Sequence, residues 1–159
     1  MLQNATEAYE MTDQELLDSV TSSTGVWCKT MFPKRFRAPF SLGHKKAFSY
    51  IDNPYLDRLL IVCHRGWGKS SIMQLGIPSR EICLQSSNII IPCSATSTLA
   101  EEKSERLKWE LENNRLIVQL FGNQKGERWS REEWVTRNGR RILPRGAGQQ
   151  VRGIGDDNR

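Results

Sequence analysis

The chain has 159 residues, a formal net charge of +5 and 38% hydrophobic residues, which suits one domain with a real core. No apolar run is long enough to cross a membrane. The acidic N-terminal stretch lacks the apolar segment of a signal peptide, which favours a cytoplasmic protein.

Charge is unevenly placed along the chain. Residues 1 to 27 hold five acidic side chains and no Lys or Arg, whereas residues 28 to 46 hold six basic side chains and no acid. The stretch from Gly122 onwards is again basic. Basic segments with interleaved aromatics suit a polyanion such as nucleic acid. The alternative, a solvated basic face beside core aromatics, fits the charge pattern equally well.

Cysteine spacing argues against a zinc or redox site. The four cysteines stand at 28, 63, 83 and 93, and no two form a CxxC pair. Because Cys63 and Cys93 fall at or in apolar runs, we interpret them as small buried hydrophobic residues.

The N-terminal part is predicted to be a short helix followed by an irregular arm. Residues 10 to 21 have an amphipathic pattern, with Thr12 and Glu15 spaced as a capping box. Residues 24 to 57 are punctuated by Pro and Gly and end in the turn signal "DNPYLD". We therefore divide the chain into a lead-in arm over residues 1–57 and a core over residues 58–159.

The core is predicted to alternate strands and helices. "LLIVC", residues 59 to 63, has the continuous apolar pattern of a strand buried on both faces. A helix follows Lys69 and is interrupted by Pro78. "NIIIPCSA" predicts a second buried strand, which Pro92 places at a sheet edge or ends early. Strand, helix, strand, helix predicts a parallel sheet.

The next segment, "TSTLAEEKSERLKWELENN", is predicted to be a long helix. A capping box is expected from Thr98 to Glu101. Glu102 and Arg106 are spaced to form an ion pair. One helix face is expected to carry the apolar residues Leu99, Ala100, Leu107 and Leu111.

The segment after residue 121 is predicted to contain a hairpin followed by a loop. Asn138-Gly139 stands between two short runs and is a strong hairpin signal, since both residues tolerate positive φ. The glycine-rich stretch "GAGQQVRGIGDDNR" that follows is predicted to be a polar surface loop.

"CHRGWGKS", residues 63 to 70, nearly matches the phosphate-binding pattern G-x-x-x-x-G-K-[ST]. Only the first glycine is missing, where Cys63 stands. The chemistry needs backbone N–H groups curled around a phosphate and a helix N-terminus aimed at the same anion. Lys69 would reach the β- and γ-phosphates, and Ser70 would hold Mg²⁺. The predicted nucleotide-binding set is His64, Arg65, Gly66, Trp67, Gly68, Lys69, Ser70 and Ser71.

Two side chains inside this loop have two possible roles each. Arg65 either faces triphosphate charge, with a catalytic role beside Lys69, or points outward into solvent. Trp67 either packs on the sheet or touches a base. The side chain of His64 is interpreted as incidental.

Several segments of the chain, taken together and in their order along the sequence, resemble the large terminase subunits of bacteriophages. These are the ATPases that pump DNA into capsids. "CHRGWGKS" is similar to that family's variant loop, which often lacks the leading glycine. "IIIPCSATSTLAEEKSERLKWELENN" resembles its second strand and following helix. "GRRILPRGAGQQVRG" resembles the segment ending in an Arg-Gly pair before the second nucleotide motif. The arm "FPKRFRAPFSLGHKKAFSYIDN" resembles the family's segment before the phosphate loop, but less closely.

The resemblance implies a P-loop NTPase-like parallel sheet flanked by helices, incomplete, with a β-hairpin near the C-terminus. Such ATPases follow the Arg-Gly pair with an apolar strand ending in acidic residues, and no such run follows Arg152. We therefore interpret the chain as the N-terminal part of the ATPase domain. Arg152 stands at the position of the arginine in the family's Arg-Gly pair. It either is solvated or touches DNA phosphate, or it is an arginine finger that acts on a neighbouring subunit's site.

The resemblance also implies cofactors and partners. They are ATP and Mg²⁺, double-stranded DNA, a homo-oligomeric ring, the portal protein and the small terminase subunit, in the host cytoplasm and without a membrane. Hydrolysis would need the strand that is missing here. One alternative is a non-enzymatic basic module that binds DNA or a partner and carries a vestigial loop. Another is a helicase-like P-loop protein, whose chemistry is close to that of the ATPase.

Overall fold

The computed structural model describes residues 12–151, which form helices packed on a small mixed sheet. The helices are α1 (Asp13–Thr21), α2 (Thr24–Met31), α3 (Leu42–Ile51), α4 (Lys69–Ser71), a π-helical turn (Ile72–Gly76), α5 (Ile77–Leu84), α6 (Ser97–Asn113) and α7 (Arg115–Phe121). The strands are β1 (Ile89–Ile90), β2 (Cys93–Ser94), β3 (Lys125–Trp129), β4 (Trp134–Thr136), β5 (Arg141–Ile142) and β6 (Arg145–Gly146). None of the helices in the described part is long and apolar enough to cross a membrane.

The described residues are α/β, as predicted, but their sheet is mixed and not parallel throughout. Four strands lie in the order β1-β5-β4-β3, and β2 pairs with β6 in a separate two-stranded sheet. The pairs β1–β5 and β2–β6 are parallel, whereas β3–β4 and β4–β5 are antiparallel. The antiparallel pairs arise because short connections join β3, β4 and β5, and only a long crossover can make neighbours parallel.

The prediction that residues 59–63 form a buried strand is also wrong. They adopt neither helix nor strand, and the side chains of Leu60 and Val62 are 87% and 85% exposed. No backbone group from residue 58 to 64 hydrogen-bonds to another described residue. An apolar run becomes a buried strand only where neighbouring strands satisfy its backbone. The described part of the chain supplies no such neighbour here.

The second predicted strand is present but divided. β1 and β2 are separated by Pro92, which has no N–H to give to a ladder. Pro92 still accepts a hydrogen bond through its carbonyl from the Arg145 N–H at 3.0 Å. β1 is an edge strand and its residues are half-buried, as the proline predicted.

The N-terminal capping box is confirmed. The Thr12 side chain accepts from the Glu15 N–H, and the Glu15 carboxylate accepts from the Thr12 N–H at 2.9 Å. The arm after it is more ordered than predicted, because α2 and α3 both lie within it. Their N-caps are Ser23 and Ser41, the residue type that most favours a helix start.

Residues from both sides of position 57 share one buried core. Trp27 and Phe48 from the lead-in arm pack in the same cluster as Ile72, Ile82 and Leu107. The half-buried side chain of Lys29 also holds the arm together. Lys29 Nζ donates to the carbonyls of Phe36 and Ala38, each at 2.5 Å. The division of the chain at residue 57 stays a prediction.

The helix after Lys69 continues through Pro78 instead of stopping. The segment changes to π-helical bonding over Ile72–Gly76, where the Ile77 N–H bonds to the Ile72 carbonyl. The wider turn relieves the clash that a proline ring makes with the preceding turn, and Pro78 then stands at the start of α5. The same turn brings Gly76 against the Cys28 thiol, where a Cβ has no room.

The long helix α6 is confirmed, but three details differ. Its N-cap is Thr96, which accepts from the Leu99 N–H at 3.2 Å, instead of Thr98. Leu99 is exposed, while Ala100, Leu107 and Leu111 are buried as expected. Glu102 and Arg106 form no ion pair.

The predicted hairpin is confirmed between β4 and β5. The Gly139 N–H donates to the Thr136 carbonyl at 2.9 Å, and Gly139 has a φ of 78°. Asn138 does not adopt positive φ, so the turn uses one left-handed residue and not two.

The cysteine prediction is wrong in detail. Cys93 is exposed and Cys63 half-buried, whereas Cys28 and Cys83 are buried. Burial raises the pKa of the Cys28 thiol, and also that of Cys83, to about 12. Both buried thiols therefore stay protonated and unreactive at neutral pH.

Candidate functional site

The predicted phosphate loop forms a depression of about 440 Å³ at the protein surface. Gly66 and Gly68 both have left-handed backbone, with φ of 82° and 84°. Such a conformation strains any residue with a Cβ, and it turns the chain sharply into α4. The depression is lined by Cys63, His64, Arg65, Gly66, Trp67, Gly68, Lys69, Ser70 and Ser71.

The start of α4 is open toward this depression. Gly68 is the N-cap, and no side chain caps the helix. The first N–H groups of the helical segment are therefore left for a ligand. Lys69 and Ser70 are exposed beside them, and helical structure continues from Lys69 to Leu84. These are the groups that phosphate binding requires.

An aromatic stack holds the loop against α3. The rings of His44 and Trp67 lie 4.1 Å apart and nearly parallel, at 6°. The His44 Nδ1 accepts from the Ser41 N–H at 3.2 Å, which leaves the proton on Nε2. Nε2 then donates to the Trp67 carbonyl at 2.7 Å. Trp67 thus packs on a helix of the lead-in arm and not on the sheet.

His64 and Arg65 differ in their contacts. His64 Nδ1 lies 2.6 Å from the Arg65 carbonyl oxygen, so its ring is engaged within the loop itself. Arg65 is exposed, and none of the described carboxylates pairs with it. Its guanidinium is free to meet an anion.

A second cationic cleft, of about 80 Å³, adjoins the helical segment that follows the loop. It is lined by Arg35, Ser70, Ser71, Gln74, Leu75, Lys103 and Arg106. Lys103 Nζ donates to Ser94 Oγ at 3.0 Å. Sequence reasoning missed Lys103 and assigned Arg106 to an ion pair, although their i, i+3 spacing puts them on one helix side.

The chemistry of hydrolysis is incomplete in the described part of the chain. No group of three or more His, Cys, Asp or Glu that could hold a metal ion occurs there. No carboxylate lines the phosphate-loop depression or the adjoining cleft. Ser70, the predicted metal ligand, therefore has no carboxylate beside it among these lining residues. Arg152, the predicted finger, lies outside the described residues.

Comparison with known proteins identifies no relative. No protein-family model matches the chain, and neither a curated protein nor a solved structure matches it significantly.

His44→Ala is expected to loosen the phosphate loop. The change removes the stack, the hydrogen bond to Trp67 and a helix cap, of which the first two contribute about 1.5 kcal/mol together. Trypsin cleavage after the exposed Arg65 should then be roughly tenfold faster. His44→Phe, which keeps a ring, should give a smaller change. Lys45→Ala, on the exposed side of α3, is the control. Equal cleavage rates after Arg65 in all variants would show that the stack does not hold the loop.

Proposed function

We propose that the chain binds a nucleoside triphosphate through residues 64–71, as the N-terminal part of the ATPase domain of a phage large terminase subunit. The observation that carries the proposal is the loop geometry. Two left-handed glycines lead into an uncapped helix start, where Lys69 and Ser70 are exposed beside a depression. These features together suit a polyphosphate better than any other ligand class.

Each loop residue has a role in this proposal. Lys69 neutralises the β- and γ-phosphates, and Arg65 adds a second cation at the mouth of the depression. Ser70 contributes a hydroxyl to Mg²⁺, and the backbone of 66–69 donates to phosphate oxygens. Arg152 acts as a finger in a neighbouring subunit's site. Ser70 would be the side chain that holds Mg²⁺, and the bound ion would supply positive charge against the phosphates.

The proposal extends to the partners that the resemblance implies. These are double-stranded DNA, a homo-oligomeric ring, the portal protein and the small terminase subunit, in the host cytoplasm. The described residues alone are expected to bind ATP without hydrolysing it, because no carboxylate stands near Ser70 to complete the metal site or orient water.

A second candidate is a non-enzymatic basic module that binds nucleic acid or a partner. The unpaired segment 58–64 favours it, because the loop is anchored to no strand on its N-terminal side. In that case the loop is vestigial and the basic surface is the functional feature.

Competition with a fluorescent ATP analogue distinguishes the two candidates. ATP and ADP should displace the analogue in the presence of Mg²⁺, whereas AMP should not, because the loop contacts the β-phosphate. Equal displacement by AMP would point to a base pocket elsewhere. Failure of the analogue to bind would support the non-enzymatic module.

A further inference from the structure

A surface groove of about 790 Å³ separates the arm from the helices α6 and α7. Residues 30–35, at the end of α2 and just beyond it, form one wall. Trp109, Glu110 and residues 113–116 form the other. Asn114 ties the walls together at the base, since its side-chain amide donates to the Met31 carbonyl at 2.7 Å. This hydrogen bond fixes the position of the two walls relative to each other at the base of the groove.

The charge of the groove is mainly positive and is not neutralised within the protein. Lys34, Arg35 and Arg115 line it, and no described carboxylate forms an ion pair with any of them. Elsewhere on the described surface, basic side chains such as Lys125 and Arg131 do pair with acids. The acid that lines the groove is Glu110, which lies 3.4 Å from the Asn114 amide nitrogen.

The groove also exposes a tryptophan ring. Trp109 is 61% exposed, and its indole makes no ring contact or hydrogen bond within the described residues. Two of the other tryptophans, Trp27 and Trp134, are fully buried. Trp67 stacks on His44, and Trp129 packs edge-on against Trp134. A free flat ring in a groove that cations also line is a ready stacking surface.

We infer that this groove binds single-stranded nucleic acid, with an unpaired base stacked on Trp109 and phosphates held by Lys34, Arg35 and Arg115. Stacking on an exposed ring needs a base whose face is free, which a duplex does not offer. Binding requires no particular base, because every base presents a π-face. The inference goes beyond the proposed nucleotide site and does not depend on it.

Arg35 connects the groove to the cationic cleft beside the phosphate loop, because it lines both. Lys103, Arg106 and Trp109 follow one another at three-residue intervals on α6, about 4.5 Å apart along the helix axis. The basic side chains therefore form a track from Trp109 along α6 toward Ser70, which the phosphates of a bound nucleic-acid strand could follow. Several nucleotides, and not one, are expected to occupy it.

The test titrates a fluorescein-labelled 20-nucleotide single-stranded DNA, of dT only, into the protein and follows its anisotropy. Trp109→Ala should weaken binding about tenfold or more, and Trp109→Phe should retain most of the affinity. Arg115→Ala should reduce the slope of log affinity against log salt by about 0.7. Arg131→Ala, an exposed arginine away from the groove, should change neither. The unlabelled strand should quench tryptophan fluorescence, and Trp109→Phe should remove most of that quenching.

Several results would overturn the inference. Equal affinity of the duplex would make the surface a general DNA-binding face, and equal competition by polyglutamate would make it a site for an acidic peptide. Unchanged affinity in Trp109→Ala would show that no base stacks there. The fluorescent ATP analogue is titrated separately into the same protein, because loss of its binding would contradict the nucleotide site and not the groove. Failure of nucleotide binding and failure of this inference are therefore distinguishable.

Discussion

Lys69→Ala is expected to lower the affinity for ATP by about a hundredfold or more. In the proposed complex its ammonium is the charge that reaches the β- and γ-phosphate oxygens, and each charge-assisted hydrogen bond contributes roughly 1.5–3 kcal/mol. The side chain is exposed, so the free energy of unfolding should change by no more than about 0.5 kcal/mol. Calorimetric titration with ATP and Mg²⁺ measures the affinity.

Lys46→Ala is the matched control, since it removes an exposed lysine from α3 at no proposed phosphate contact. Ser70→Ala should weaken binding only when Mg²⁺ is present, because its hydroxyl acts on the metal. Parent-like affinity in Lys69→Ala would mean that the loop does not bind the triphosphate. A drop in Lys46→Ala equal to that in Lys69→Ala would indicate only a non-specific charge effect.

Local signals in the sequence predicted local structure well. The capping box at Thr12, the long helix α6 and the hairpin at Gly139 all depend on contacts within a few residues, and all are present. The cap of α6 was placed two residues too late because Thr96 and Thr98 both carry a suitable hydroxyl.

Features that depend on distant neighbours were predicted poorly. An apolar run such as residues 59–63 favours a strand, but pairing partners decide whether the strand forms, and those partners are remote in sequence. The sequence did not predict the helices α2 and α3, because Gly25, Gly43 and the prolines between them are typical of loops. Tertiary packing overrides that preference, since Trp27 and Phe48 have a core to enter.

The candidate site shows the same division. The sequence pattern around Lys69 predicted the loop, because its glycines and lysine lie within four consecutive residues. His44 and Arg35 come from the arm, and Lys103 comes from α6, so only the folded chain shows that they lie beside the loop. The stack of His44 on Trp67 has no sequence signature, since either ring alone is ordinary.

Trp27→Ala is expected to destabilise the whole described fold by about 3–5 kcal/mol, the usual cost of truncating a buried tryptophan. Trp27 is fully buried, its indole N–H donates to Ser79 Oγ at 2.9 Å, and its ring lies 5.4 Å from that of Phe121. It therefore joins α2, in the arm, to α5, in the helical segment that begins at the phosphate loop. The melting temperature should fall by roughly 10 °C, because at this chain length each kcal/mol shifts it by about 2–4 °C.

Differential scanning calorimetry of the parent and of Trp27→Ala measures both the fall and the number of transitions. A single transition is expected in each, because residues on both sides of position 57 share one buried cluster. Trp109→Ala is the matched control: the same side chain is removed from an exposed site, and stability should stay within about 0.5 kcal/mol. Trp27→Phe, which keeps a ring but loses the bond to Ser79, should fall between them. Two separate transitions, with only the first shifted by Trp27→Ala, would instead mean that the lead-in arm and the core fold as independent domains.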